Sequence, residues 1–530
     1  MAEDCFTATA MTGAPSITHW FDRRCRDAQP RKAITHQDRT LSYGDLKAKV
    51  DGLAGYWSQL GIGKGDRVGI LAFNCPEVLI ALLAAARIGA IFVPVNFRLA
   101  PAELTYVIND AGISQLLVGP EFEDVIEALR DSLCTAGYIA LAASDGAMAD
   151  RRGWTSFDEA VRARPQPPFP VLPDDPVTIL YTSGTTGKPK GAIITHGNVW
   201  ANNLNWILGY GCSLDEVMLT TAPMFHAGGL FAEVLTVLMM GGHLVIQSQF
   251  DPGAFLAAIE AHRVTITFGV PTMLLALTRH PDFASVDLSS LRLYIVGGAP
   301  SPVPLLRICA DRNIPVTHTY GMTEATSLHS FLRPAQALDK IGSTGRPVLL
   351  GETRLVDAEG GVVTAEGEKA EIALRGPHMF AGYWQLPEAT AAAFLPGRWF
   401  RTGDVGYLQD GFLYVCDRVK DMIISGGENV YPAEVESVLA GHPAIAEAAV
   451  VGAPDPVWGE SVVAAVVLRP GASLGLEELR AYCRQMLAGY KLPKHLHLLE
   501  AMPLSGSGKI QKQILREQVR HAFKETQDDQ

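Results

Sequence analysis

The chain reads as an α/β protein in two parts: a large N-terminal domain of doubly wound sheets in βαβ subdomains, and a small C-terminal α+β domain. Short β-rich runs alternate with apolar segments of helix length over most of the chain, which implies parallel strands joined by crossover helices. Near residue 400 that alternation gives way to hairpin-like patterning. A length of 530 residues also exceeds what one hydrophobic core serves.

Residues 68–73 form a β-rich run, 77–88 a helical segment and 90–95 a second β-rich run. The same order recurs in residues 217–222, 230–240 and 243–247, so the large domain is expected to contain two sheets of this kind. The apolar stretch 78–95 is interrupted by Arg87 and Gly89 and reads as a helix and a strand, with no membrane span. A proline-rich stretch, 164–176, suggests an extended connector. Residues 406–415 alternate as a hairpin turning at Gln409, Asp410 and Gly411. Beyond them, strands are expected near 446–453 and 462–468 and a helix at 476–488. The boundary falls in the charged run 417–420, giving domains 1–417 and 418–530.

Hydrophobic residues make up 48% and charged residues 19%, values of a folded enzyme. The net charge of -12 gives no basic footprint for nucleic acid, yet leaves room for a local phosphate nest. Eight scattered cysteines without a CxxC pair predict reduced thiols, no disulfide and no zinc. The acidic start lacks the pattern of a secretion signal, and a cytoplasmic protein is expected.

The segment most suggestive of chemistry is Tyr181-Thr-Ser-Gly-Thr-Thr-Gly-Lys-Pro-Lys-Gly191. Its glycines, Gly184 and Gly187, let backbone amides face an anion. The hydroxyls of Thr182, Ser183, Thr185 and Thr186 can donate to phosphate oxygens, and Lys188 and Lys190 supply charge. It is no Walker A loop, because Pro189 follows Lys188 and Thr182 stands where the first glycine belongs. Taken alone it reads equally as a surface loop.

Further segments follow in order: Pro223-Met-Phe-His226, Gly297-Gly-Ala-Pro300, Tyr320-Gly-Met-Thr-Glu324, Phe400-Arg-Thr-Gly-Asp404, Asp417-Arg-Val-Lys-Asp421 with Gly426-Gly-Glu-Asn-Val-Tyr-Pro432, and Pro503-Leu-Ser-Gly-Ser-Gly-Lys-Ile510. Together they resemble the adenylate-forming superfamily over nearly the whole chain, in its acyl-CoA ligase branch. The resemblance implies ATP, Mg2+ and coenzyme A as ligands, and a carboxylic acid activated as acyl-adenylate before transfer to the thiol. It implies that Thr323 and Glu324 hold the metal and the α-phosphate, Glu324 being its carboxylate ligand. Tyr320 resembles the aromatic that stacks on adenine, with Gly298, Ala299, Pro300, Thr319, Gly321 and Met322 around the nucleotide. Asp404 resembles the carboxylate that binds the ribose, and Arg418 the guanidinium beside it. Lys509 resembles the lysine that bridges carboxylate and phosphate during adenylation. In the family the small domain is mobile about a hinge, here near 417–420, removing Lys509 and bringing in Gly426, Gly427 and Glu428 for coenzyme A.

His226 stands where amino-acid adenylation domains carry aspartate, which disfavours amino-acid substrates. The resemblance gives Trp206, His226, Phe268, Gly269, Gly298, His318, Gly321, Met322 and Ser327 as acyl-pocket walls, leaving fatty, aromatic and bulky cyclic acids open. Alternatives are loading of a carrier protein, a ligase working only from preformed acyl-adenylate, and a non-catalytic scaffold. The intact Glu324, Asp404 and Lys509 argue against the last. Phe400, Asp417 and Ser505-Gly506 are mild departures from the family pattern. A monomer or homodimer is expected on family grounds.

Overall fold

Pro76 opens a helix, Pro76–Ile88, at a position where its missing N–H is no loss, and Gly89 closes it in the left-handed conformation at φ 73°. Each of its residues is buried, as expected of an element covered on all sides. It connects the strands Arg67–Leu71 and Ile91–Pro94, which pair in parallel, so the first expected βαβ unit is present. The computed structural model describes residues 16–141, 153–182, 189–298, 301, 303–418, 421–425, 428–455, 458–504 and 510–528.

The first unit lies inside an eight-stranded sheet whose order is Gly382–Tyr383, Lys190–Thr195, Pro176–Thr182, Ile91–Pro94, Arg67–Leu71, Ile113–Val118, Gly137–Ala140, Trp154–Ser156. The second unit, with strands Val217–Thr220 and His243–Ile246, lies in a nine-stranded sheet. There the parallel neighbours Val217–Thr220, Ile266–Gly269, Leu293–Val296 and Val316–Tyr320 stand side by side. One large apolar cluster joins the helices of both units, from Trp57 and Leu82 to Trp206 and Leu238.

The helix of the second unit differs from expectation. Residues 230–240 are split between Ala227–Leu230 and Val234–Met240, with Glu233 between them in the left-handed conformation at φ 68°. Apolar periodicity is blind to such a break, because the residues on either side still face the core.

A third sheet, antiparallel, was not foreseen: Glu352–Val356, Ala370–Arg375, Trp399–Gln409 and Phe412–Arg418. It contains the expected hairpin, which turns at Asp410 and Gly411, both at positive φ. The smaller domain packs Ile423–Ser425, Glu428–Val430, Ile445–Asp455, Gly459–Leu468 and His495–Leu499 as a fourth sheet. Its helix Leu476–Cys483 is shorter than expected, and a last helix, Lys512–Asp528, was missed. No helix among the described residues is long and apolar enough to cross a membrane.

Candidate active site

The two ends of the predicted phosphate segment lie on antiparallel strands, where Thr182 pairs with Lys190 and Tyr181 with Gly191. Residues 183–188, which include Ser183, Gly184, Thr185, Thr186, Gly187 and Lys188, lie outside the described residues, as do Ala299, Pro300, Gly426, Gly427 and Lys509. Thr182 donates to the Lys190 carbonyl at 3.4 Å, and Tyr181 donates to Asp110 at 2.6 Å, which fixes the root of the hairpin.

A short strand that sequence reasoning missed, Gly382–Tyr383, ties this hairpin to the Glu324 turn. Its backbone pairs with Ala192 and Ile193, and Trp384 N–H donates to the Gly191 carbonyl at 2.7 Å. Two residues earlier, Phe380 N–H donates to the Glu324 carbonyl at 2.8 Å. Tyr383 then donates its hydroxyl to Glu324 Oε1 at 2.9 Å, and Lys190 Nζ lies 5.4 Å from the centre of the Tyr383 ring. Loss of surrounding water pushes the half-buried Glu324 carboxyl above the ordinary glutamate range, while the bond from Tyr383 opposes that rise. The only signal for Tyr383 in the sequence was an aromatic after a glycine, four residues ahead of Pro387, which opens a short helix.

Glu324 sits in a single 3-10 turn, Thr323–Ala325, after Met322. The turn folds back so tightly that a Cβ on Gly321 would lie 1.8 Å from the Ser327 carbonyl oxygen. His329 N–H then donates to the Tyr320 carbonyl at 2.8 Å and closes the loop. The buried Tyr320 donates to Asp404 Oδ2 at 2.7 Å, and Arg418 Nε lies 3.4 Å from Asp404 Oδ1. Asp404 and Arg418 are cross-strand neighbours, so the third sheet alone brings them together. Glu428 begins an edge strand of the small domain, paired with Ser425.

The parallel strands of the nine-stranded sheet end side by side at Gly269, Val296 and Tyr320, the edge where open α/β sheets bind ligands. Phe268 lies against two backbones there: a Cβ on Gly228 or on Gly297 would come within 3.0 Å of its ring. Thr319 donates to the Val296 carbonyl at 3.4 Å, and Gly298 takes φ 83°. Gly269 faces the Tyr294 hydroxyl, 2.7 Å from where its Cβ would be. His318 is buried on the same edge, and loss of water pushes its imidazole down to about 4, so the ring is neutral. His226 precedes the helix Ala227–Leu230 and packs its ring 4.3 Å from Phe225.

Trp206 is fully buried; its indole N–H donates to Ser327 Oγ at 3.3 Å, and its ring stacks 5.2 Å from Tyr210. Ser327 donates in turn to Asn202 at 2.9 Å. One polar chain therefore joins the helix His196–Tyr210 to the turn that carries Glu324.

A family model described as AMP-binding enzyme matches residues 21–384, and one described as AMP-binding enzyme C-terminal domain matches residues 434–509. The chain is 42% identical over 505 residues to a feruloyl-CoA synthase of Amycolatopsis sp, covering 95% of this chain and 98% of that protein. It is 39% identical over 511 residues to an indoleacetate-CoA ligase of Aromatoleum aromaticum, covering 95% and 98%. The solved structure of Bacillus subtilis o-succinylbenzoate CoA synthetase with its acyl-adenylate intermediate superposes with a TM-score of 0.82 at 34% identity, covering 96% of this chain and 98% of the other. The chain thus belongs to the AMP-binding enzyme family, in its acyl-CoA ligase branch.

Proposed function

We propose that this ligase takes an aromatic or bulky cyclic carboxylic acid, joins it to the α-phosphate of ATP with release of pyrophosphate, and passes the acyl group to coenzyme A at the same site. The observation that carries the acid class is Trp206, whose buried, hydrogen-bonded indole and half-buried stacking partner Tyr210 make a fixed, flat wall. Such a wall suits a ring and would obstruct a long flexible chain. The feruloyl-CoA and indoleacetate relatives, named for ring-bearing acids, support the same class.

Each step draws on residues of this chain. Asp404, oriented by Tyr320, accepts hydrogen bonds from the ribose, and Tyr320 offers its ring to the adenine. Lys190 and the hydroxyls of the predicted phosphate segment meet the phosphates. Lys509 brings a compact cation to the charge that grows as carboxylate and phosphate approach. Glu324 fits a hard divalent cation: among the described residues no group of three or more His, Cys, Asp or Glu forms a cage, which suits an ion held by one carboxylate and the nucleotide's own oxygens. Mg2+ bound there would neutralise phosphate charge. Tyr383 orients that carboxylate and favours its ionised form.

The two half-reactions require different groups at one place, so we place the domain boundary and its hinge at 417–420. Asp417 supports this position, since its Oδ2 accepts from Ala433 N–H at 2.9 Å, at the start of the helix Pro432–Leu439 of the small domain. The test is to follow pyrophosphate, AMP and thioester by mass spectrometry with ATP, Mg2+, coenzyme A and a panel of fatty, aromatic and polycyclic acids. Ring-bearing acids are expected to give the thioester, and Lys509→Ala to lose pyrophosphate release. If no acid releases pyrophosphate while synthetic acyl-adenylate still yields thioester, adenylation is not this protein's reaction.

A further inference from the structure

Glu233 combines two features that folding alone disfavours. Its backbone is left-handed, at φ 68° and ψ -22°, a region that glycine occupies freely and a long side chain seldom does. Its side chain is buried, and its Oε2 is enclosed without a hydrogen-bond partner among the described residues. Enclosure pushes the carboxyl well above the ordinary range and favours its protonated form, which has both a donor and an acceptor to offer. The nearest cation does not account for it: Arg292 lies within electrostatic reach but already grips Glu216, with contacts of 2.6 and 2.9 Å.

Its position in the chain points to the acyl pocket. Asn202, Trp206 and Tyr210 follow one another at helical spacing on one face of His196–Tyr210. Asn202 takes the Ser327 hydroxyl on its oxygen and donates from its nitrogen to the Phe231 carbonyl at 3.1 Å. The segment that begins at His226 and Phe268's neighbour Gly228 is thereby pinned to the Trp206 wall, two residues short of Glu233. Glu233 lies within electrostatic reach of the half-buried Tyr210, the ring stacked on Trp206.

We propose that Glu233 is a specificity-determining residue at the far end of the acyl pocket, exchanging hydrogen bonds with a hydroxyl on the ring of the acid. The assignment rests on the aromatic-acid reading above and narrows it to hydroxylated aryl acids. A site built to pair a substrate hydroxyl discriminates strongly against the analogue lacking it, because its own polar group is then left unpaired.

The test compares kcat/KM for 4-hydroxycinnamate and cinnamate in wild type, Glu233→Gln and Glu233→Leu, with thermal midpoints alongside. Wild type is expected to favour the hydroxylated acid by a factor above about 30. Glu233→Leu should cut that ratio by about 10-fold or more, with the loss falling on the hydroxylated acid, and Glu233→Gln should fall between. The Glu233→Leu midpoint should hold or rise, since an unpaired buried carboxyl is removed. A ratio unchanged in the variants overturns the assignment and leaves the aromatic reading standing. If Glu233→Leu does not fold, an unchanged ratio in Glu233→Gln is enough to overturn it. Wild type that thioesterifies neither acid while taking other ring-bearing acids overturns the narrowing to hydroxylated aryl acids; if it takes no ring-bearing acid, the aromatic reading itself is defeated and the role of Glu233 falls with it.

Discussion

Tyr383 and Glu324, joined by a hydrogen bond of 2.9 Å, are the pair through which the proposed adenylation is tested most directly. A hydrogen bond to an ionised group is worth about 1.5–3 kcal/mol, and Tyr383→Phe removes one from the carboxylate that is to meet the metal. Glu324 is already raised above the ordinary range by burial, so losing this donor raises it further. Because the cation needs the ionised form, the acid limb of the adenylation profile should move to higher pH in Tyr383→Phe, with activity at neutral pH down by about 10-fold. Thioester formation from preformed acyl-adenylate should be spared. An acid limb that stays where it is in wild type would refute the role given to Tyr383. Glu324 and Asp404 stand out in the sequence because they end ordered motifs, and the structure sets a tyrosine hydroxyl against each. Tyr383 does not, because its role comes from a two-residue strand that only pairing across the sheet brings to Glu324.

Among the elements, the two βαβ units were legible because burial of both sheet faces writes continuous apolar runs into the sequence. The antiparallel third sheet was not, since strands such as Glu352–Val356 are short and partly exposed. The split of 227–240 was equally hidden, as the left-handed Glu233 leaves the apolar pattern of its neighbours intact. The turn Tyr320 to Ser327 is sensitive to a single change. Gly321→Ala would set a methyl 1.8 Å from the Ser327 carbonyl oxygen, a contact that only backbone movement can relieve. Such overpacking costs about 1–3 kcal/mol, and here it would also displace Glu324. Denaturant unfolding should show that loss together with near-complete loss of pyrophosphate release; an alanine variant with wild-type stability and rate would mean that the turn is looser than its geometry states.

At the scale of the whole molecule, the large and small domains and their order were legible from the change of pattern near residue 400, whereas the distribution of buried and half-buried histidines was not. His196, His243, His318 and His378 are each pushed down to about 4 by loss of water. An unfolded histidine takes up its proton near 6.5, so between about 6.5 and about 4 the unfolded chain binds more protons than the folded one. Stability is therefore complete above that window and is lost as the pH falls through it. Thermal midpoints measured from pH 7 to pH 4.5 should drop steeply, and a flat profile would contradict the burial of these rings. The small domain holds one more consequence. Leu504 and Ile510 face each other in an antiparallel bridge, and Gln511 N–H donates to the Pro503 carbonyl at 2.8 Å. The backbone is thus closed on both sides of residues 505–509. Doubling the length of such a loop costs only about 0.6 kcal/mol. The number of residues between those two closed ends is in this way almost uncoupled from folding, open to change without rebuilding the scaffold on either side.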